Sequence, residues 1–283
     1  HHLSSPLPYR RSDEQTPEQF CDFLVKEFED KIRELGSENV AAFIAEPVLA
    51  SGGCIVPPEG YYKKIYDLCK KNEIIFIADE VVTGFGRLGH FFSSEEVFGV
   101  VPDIITCAKG ITSGYLPLGA VLFSDKLIGD LKHDSSLFFH GYTYSGHPAC
   151  CAAALKNIEI LKRDKILEHV REIEPYFFEK LNTLYELPIV GDIRGKGLMA
   201  GIECVINKNS KEALILDKAI GSRIDEESIK LGLIIRPLYH ICVLSPALII
   251  TKNQIDDLTE KLYLAISNTI DQLQKEGLWS SQK

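Results

Sequence analysis

The chain has 283 residues, of which 45% are hydrophobic and 25% are charged, and this composition is typical of a globular protein. Its formal net charge of −9 argues against nucleic-acid binding, which usually requires a basic surface. No apolar run is long enough to span a bilayer, and the first residues lack the pattern of a signal peptide. The eight cysteines have no Cys-x-x-Cys spacing, which favours a reducing, cytoplasmic location.

The start of the sequence is unusual. The only methionine is Met199, so the chain has no initiator residue, and its first residues are polar and show no periodicity. We therefore expect the sequence to lack a front portion of a longer protein.

The first half of the chain alternates helical patterns with short apolar runs. A capping box at Thr16 and a glycine at Gly36 bound the first predicted helix. A second amphipathic helix is predicted over residues 60–71. Four apolar runs are predicted strands, at residues 40–45, 74–78, 104–107 and 119–123. Apolar strands that alternate with helices indicate a mostly parallel sheet between helices, and hence an α/β fold.

From about residue 147 the pattern changes to separate groups of helices and strands. Helices are predicted at residues 149–161, 165–184 with an interruption at Pro175, 212–231 and 251–275. Strands are predicted as a hairpin over residues 189–205 and as short segments at 233–236 and 241–245. We therefore predict two domains: residues 1–158 belong to a large domain and residues 159–283 form a smaller α+β domain.

Three predicted strands end at ionisable side chains, namely Glu46, Asp79 and Lys109. Ligands of open parallel sheets collect at the carboxyl ends of the strands. Taken singly, a carboxylate after a strand is most often a helix cap or a satisfied polar group, and a lysine is most often a solvated surface charge. Three such groups at one edge are better explained as one site.

A lysine and an aspartate in one cleft fit the chemistry of pyridoxal 5′-phosphate. This cofactor needs an amine that holds its aldehyde as a Schiff base and a carboxylate that keeps its ring nitrogen protonated. The protonated ring draws electrons, so the substrate loses its α-proton more easily, and the freed lysine moves that proton. No histidine cluster has the spacing of a metal site, so no metal is expected.

Six segments carry a resemblance to a known family. They are IAEPV (44–48), DEVVTGFGRLG (79–89), PDIITCAKG (102–110), GYLPLGA (114–120), HGYTYSGHP (140–148) and RGKGLMAGIE (194–203). In this order they resemble class III aminotransferases, the ω-transaminase group of pyridoxal-phosphate enzymes with fold type I. The resemblance covers nearly all of the chain and implies a fold-type-I architecture that is incomplete at its N-terminal side.

The resemblance implies a set of cofactor-binding residues. Lys109 would be the Schiff-base lysine and Asp79 the partner of the pyridine nitrogen. Val81 would pack against one face of the ring, although by itself it reads as a core residue. Thr143 would bind the cofactor phosphate across a homodimer interface, although by itself it reads as a turn hydroxyl.

The resemblance also implies substrate-binding residues and a reaction. Arg236 would grip a substrate carboxylate through a bidentate fork, and Glu46 would lie near the amino-acceptor site. The implied activity is transfer of an amino group from an amine or ω-amino acid to pyruvate or another 2-oxo acid. A 2-oxoglutarate-dependent transaminase is the alternative branch.

The resemblance leaves one alternative open. Family members have a glycine- and serine-rich phosphate loop in front of the segment that corresponds to His1, and residues 1–40 contain nothing similar. The alternative to an aminotransferase is therefore a truncated or split-gene product that is not active alone and acts through dimer association.

Overall fold

The computed structural model of the chain describes residues 1–131, 138–214 and 220–280. It divides into a first unit, His1–Val48 with Pro57–Leu167, and a second unit, Leu49–Val56 with Glu168–Lys283. The domain boundary after residue 158 stays a prediction, and it falls within a helix of the first unit, Pro148–Arg163. Within the described residues, no helix combines the length and the apolar character needed to cross a bilayer.

The first unit contains helices on a four-stranded sheet. Its helices are α1 (Pro17–Leu35), α2 (Tyr61–Lys71), α3 (Ser93–Glu96), α4 (Asp125–Leu131) and α5 (Pro148–Arg163). Its strands are β1 (Ala42–Ala45), β2 (Ile75–Asp79), β3 (Ile104–Cys107) and β4 (Ala120–Phe123).

The sheet of the first unit has the order β1-β2-β3-β4. Strands β1, β2 and β3 are parallel neighbours, whereas β4 runs antiparallel to β3. The prediction of a mostly parallel sheet therefore holds for the first three strands. Strand β4 is antiparallel because residues 108–119 return the chain to the neighbouring position without a helical crossover.

Helices α1 and α2 cover one face of this sheet. The capping box at Thr16 begins α1 as predicted, with Gln19 N–H donating to the Thr16 hydroxyl and the Gln19 side chain accepting from Thr16 N–H. Phe28 and Phe76 are buried in the resulting core, which Phe43 joins from β1. The opposite face is open, since Ile44 and Val121 are 59% and 54% exposed.

The second unit contains an antiparallel sheet and helices that pack on it. Its helices are α6 (Ile166–Asn182), which begins at the end of the first unit, α7 (Ile220–Lys230) and α8 (Lys252–Lys275). Its strands are β5 (Val190–Lys196), β6 (Met199–Asn207), β7 (Glu212–Ala213), β8 (Arg236–Leu238) and β9 (Ile241–Leu244). The order is β5-β6-β9-β8, and β7 pairs with β6.

Three sequence predictions in the second unit need correction. Residues Glu212–Ala213 are a strand rather than the start of a helix, because a turn after β6 returns the chain onto that strand. The strand predicted over 233–236 lies at Arg236–Leu238. Helix α6 is not interrupted at Pro175, since the helix continues to Asn182 and keeps its apolar face in the core.

Candidate active site

The structure places Glu46, Asp79 and Lys109 at one edge of the sheet. Ala45, the last residue of β1, pairs with Ala78, and Asp79, the last residue of β2, pairs with Thr106 of β3. Because these three strands are parallel, the residues that follow them leave the sheet at the same edge. The expected grouping of strand ends is therefore present in the fold.

Asp79 has one carboxylate oxygen fixed and the other available. Its Oδ1 accepts a hydrogen bond of 3.1 Å from the backbone N–H of Val81, so the side chain turns toward the loop that follows β2. Among the described residues, Oδ2 has no hydrogen-bond partner. Asp79 and Val81 are both half-buried. The carboxylate is thus oriented but retains acceptor capacity at the edge of the sheet.

Lys109 begins a tight turn directly after β3. It has a φ of 39°, in the left-handed region that side chains other than glycine rarely adopt, and it opens the 3-10 helix Lys109–Thr112. Its side chain is exposed, and the part of the chain that the structure describes offers its ammonium neither a hydrogen bond nor an ion pair. A primary amine is therefore presented at the strand end.

The loop after Asp79 and the turn after Lys109 touch each other. A Cβ atom at Gly110 would lie 2.9 Å from the Cβ of Phe85 and 3.1 Å from the carbonyl oxygen of Gly84. Only glycine allows the two backbone segments to approach this closely. The positions of the carboxylate and the amine are thus linked by direct packing of the segments that carry them.

Glu80 is a site-supporting residue that sequence reasoning missed. Its carboxylate is fully buried and accepts hydrogen bonds from the Thr83 hydroxyl (2.6 Å), the Ser93 hydroxyl (2.7 Å) and the Ser94 N–H (2.6 Å). These bonds fix both ends of the segment between β2 and α3. The sequence signal was the Asp-Glu pair itself, since a second acid after a buried strand requires its own partners.

Neighbouring titratable groups of the first unit are kept neutral. Burial raises the pKa of the Tyr62 hydroxyl well above its usual value, and the carboxylates of Glu80 and Asp79 raise it further. Burial also raises the pKa of the Cys107 thiol at the end of β3.

Two other predicted site residues, Glu46 and Thr143, belong to the same unit. Glu46 is half-buried directly after β1 and has polar interactions of its own. Thr143 is exposed in the turn Tyr142–Ser145, and no hydrogen bond within the described residues joins it to Asp79 or Lys109.

Arg236 belongs to the second unit, where it is the first residue of β8. Its side chain is exposed, and within the residues that the structure describes its guanidinium has no ion-pair partner. It borders a depression that is otherwise lined mainly by apolar side chains such as Ile234, Val243 and Leu258. An unpaired guanidinium beside an apolar wall is suited to bind a carboxylate that carries an apolar chain.

The residues at the sheet edge fit pyridoxal 5′-phosphate. The free amine of Lys109 matches the aldehyde of this cofactor, and the available oxygen of Asp79 matches its ring nitrogen. In the described part of the chain, no group of three or more His, Cys, Asp and Glu side chains is arranged to hold a metal ion.

Comparisons with known proteins point to one family. The sequence model of the family described as Aminotransferase class-III matches residues 1–266. The chain is 43% identical over 258 residues to the putrescine–pyruvate aminotransferase of Pseudomonas aeruginosa, covering 91% of this chain and 56% of that protein. It is 39% identical over 263 residues to a probable mitochondrial gamma-aminobutyrate transaminase 3 of Oryza sativa subsp. indica, covering 92% and 51% respectively. The chain thus spans about half the length of these curated relatives.

A solved structure agrees with both the fold and the cofactor. The PLP-bound mutant aminotransferase from Vibrio fluvialis superposes with a TM-score of 0.90 at 36% sequence identity, covering 96% of this chain and 61% of that one. This agreement confirms the fold-type-I α/β architecture, and class III aminotransferases use pyridoxal 5′-phosphate.

Proposed function

This chain belongs to the class-III aminotransferase family, and we propose that it forms the lysine-bearing part of an enzyme that transfers an amino group from an amine or ω-amino acid to a 2-oxo acid, preferentially pyruvate. The observation that supports this function best is the placement of an amine and a carboxylate after neighbouring parallel strands, on two segments that pack against each other. Family membership alone would leave open whether this chain retains the pair.

The proposed roles follow from the position of each side chain. Lys109 would hold the cofactor covalently through Nζ, which the described structure leaves without a competing partner. Asp79 would accept a hydrogen bond from the ring nitrogen at Oδ2, while Val81 N–H keeps Oδ1 fixed. Val81 would also present its methyl groups to the ring. When bound, the cofactor supplies an electron sink that stabilises negative charge on the substrate carbon.

Lys109 would also move the proton. The Nζ of Lys109 is a primary amine at the strand end, and in its free form it would accept the proton from the substrate carbon and donate it again during amino transfer. The strained backbone at Lys109 limits the directions in which this side chain can leave the turn.

The remaining roles concern substrate and assembly. Arg236 would bind the carboxylate of an amino or 2-oxo acid through two parallel hydrogen bonds, and Glu46 would face the amino-acceptor site. We propose a homodimer in which Thr143 contributes to the phosphate site of the partner subunit. Its exposure in the turn Tyr142–Ser145, next to exposed aromatic side chains, supports an interface role. We further propose a cytoplasmic location.

The test is covalent trapping. The chain is incubated with pyridoxal 5′-phosphate, reduced with borohydride and digested, and the modified lysine is identified by mass spectrometry. We expect label at Lys109, loss of that label in Lys109→Ala, and normal labelling in Lys126→Ala, which changes an exposed lysine of α4. Label distributed over many surface lysines would contradict the proposal.

The alternative of a chain without independent activity has one supporting observation, the coverage of about half of each relative. Trapping at Lys109 without transamination would favour it. Amine and ω-amino-acid donors tested with pyruvate and with 2-oxoglutarate separate the two substrate branches, and preference for 2-oxoglutarate would refute the pyruvate branch.

A further inference from the structure

One buried amide side chain, that of Asn157, is hydrogen-bonded to the turn that carries Lys109. Asn157 of α5 donates from Nδ2 to the carbonyl oxygens of Gly110 (2.8 Å) and Ile111 (3.1 Å). Its Oδ1 accepts from the Ser113 hydroxyl at 2.7 Å. Asn157 is nine-tenths buried. Both the NH₂ group and the carbonyl oxygen of its amide are hydrogen-bonded to this one turn.

The turn needs such support because its backbone is strained. Lys109 and Ser113 have φ values of 39° and 50°, so both ends of the turn lie in the left-handed region. Conformations of this kind persist only where the surroundings over-determine them. Asn157 is hydrogen-bonded to Gly110, Ile111 and Ser113. Its bonds therefore connect to the segment that follows Lys109 and to Ser113, the second strained residue.

The turn also packs against the loop that follows Asp79. Gly110 is in close contact with Gly84 and Phe85, so this one residue contacts both that loop and Asn157. A side chain that fixes the carbonyl of Gly110 also fixes how far the turn lies from the loop of Asp79. The spacing between the amine and the carboxylate then depends on Asn157.

We propose that Asn157 is a positioning residue that, together with Ser113, sets the direction of the Lys109 amine toward the cofactor aldehyde. This proposal rests on the proposed function of Lys109 and extends it to residues that do not touch the cofactor. Asn157 acts on Lys109 through the turn, since its described hydrogen bonds are to the carbonyl oxygens of Gly110 and Ile111 and to the hydroxyl of Ser113.

Two measurements on the full chain test the proposal. Hydrogen exchange followed by mass spectrometry reports the turn without any cofactor, and we expect Asn157→Ala to speed exchange in a peptide covering residues 109–114 but not in β3. The rate of covalent attachment of pyridoxal 5′-phosphate, followed by absorbance, reports the amine. Because a misplacement of about 1 Å can cost on the order of 100-fold, we expect the rate to fall about 10- to 100-fold in Asn157→Ala.

Controls separate positioning from general destabilisation. Ser113→Ala leaves the amide of Asn157 in place and removes one bond to it, so the attachment rate should fall only about three-fold. Ile65→Val trims a buried side chain of α2 that belongs to the core of the same unit, and it should lower thermal stability without changing the attachment rate. If Asn157→Ala fails to fold, Ser113→Ala decides the question by both measurements.

The outcomes distinguish the positioning role of Asn157 from the cofactor-binding role of Lys109. Faster exchange in the turn with an unchanged attachment rate would overturn the positioning role while leaving the role of Lys109 intact. Unchanged exchange in the turn would overturn it as well. If wild-type Lys109 does not attach the cofactor, the proposed function is wrong, and the positioning role that rests on it is wrong as well. Hydrogen exchange in the turn would still show whether Asn157 stabilises the turn.

Discussion

Replacing Glu80 with alanine should destabilise the first unit because three buried donors would lose their common acceptor. The hydroxyls of Thr83 and Ser93 and the N–H of Ser94 all bind this carboxylate at 2.6 to 2.7 Å. Glu80, Thr83, Ser93 and Ser94 are all fully buried. Water therefore has no direct access to the donors that the substitution leaves behind.

The size of the effect follows from these bonds. A hydrogen bond to a charged group contributes about 1.5–3 kcal/mol, and each buried donor left without a partner costs about 1–3 kcal/mol. Adding these values overestimates the loss in the free energy of unfolding, because the alanine variant also avoids the cost of burying the carboxylate. Loss of one member of a buried charged network typically costs about 3–5 kcal/mol, and we expect Glu80→Ala in this range.

Glu80→Gln is the matched control. Its amide oxygen can accept from the Ser94 N–H, and its NH₂ group can donate to the hydroxyls of Thr83 and Ser93, which accept as well as donate. The shape and the hydrogen bonds are then largely kept while the charge is removed. We therefore expect a loss of only about 1–2 kcal/mol for this variant.

The assay uses a probe inside the first unit. Cys69 is fully buried in α2, so its labelling by a thiol reagent requires opening of this unit. A loss of about 3–5 kcal/mol corresponds to labelling faster by more than about 100-fold. Trp279 is the only tryptophan of the chain, and it reports on the second unit. Equal labelling in Glu80→Ala and Glu80→Gln would refute the reasoning, because it would mean that the charge alone matters.

Three further predictions concern stability, pH and substrate. Arg194→Ala leaves the buried carboxylate of Glu203 without its 2.6 Å partner, so Trp279 fluorescence in urea should show a loss of about 3–5 kcal/mol, whereas Lys261→Ala, which removes a surface ion pair of the same unit, should cost under about 1 kcal/mol. Burial and then the Asp103 carboxylate raise the pKa of Cys69 from 9.0 to about 12. Above pH 9.0 this proton is lost only from the unfolded chain, so Cys69 should lower the free energy of unfolding by about 1.4 kcal/mol per pH unit, and Cys69→Ala should make the measured slope shallower by that amount. Arg236→Ala should reduce kcat/KM for carboxylate-bearing donors by at least about ten-fold more than for simple amines, and equal losses would count against a carboxylate-binding role.

The sequence predicted those features that depend on local patterns. The capping box at Thr16 begins α1 where expected, and α8 begins after Thr251 as the predicted helix over 251–275 requires, because the capping box at each start is satisfied within four residues of chain. The apolar runs of β1, β2 and β3 were also located correctly, and with them the common edge of Glu46, Asp79 and Lys109. Parallel pairing makes this edge a consequence of strand order, which periodicity and helical connections indicate.

The sequence could not predict features that depend on distant contacts. Asn157 lies 44 to 47 residues from its partners, and as one polar residue in an amphipathic helix it has no distinguishing pattern. The predicted helix over 212–231 was wrong at its start because β7 is determined by pairing with β6. At Pro175 the local rule predicted an interruption, but burial of Phe177 and Leu181 beyond it keeps α6 continuous.

The effects of substitutions at Glu80 and Asn157 on cofactor attachment should not be additive. Glu80 holds the loop that contains Gly84 and Phe85, and Asn157 holds Gly110, which packs directly against both residues. If the loop is already mobile because Glu80 has been replaced, the hydrogen bonds of Asn157 to the turn contribute less to the spacing between Asp79 and Lys109. The double variant Glu80→Gln/Asn157→Ala should therefore slow cofactor attachment less than the product of the single effects, with a coupling of about 0.5–3 kcal/mol. Strict additivity would mean that the two segments are positioned independently, and the packing at Gly110 would then not link the amine to the carboxylate.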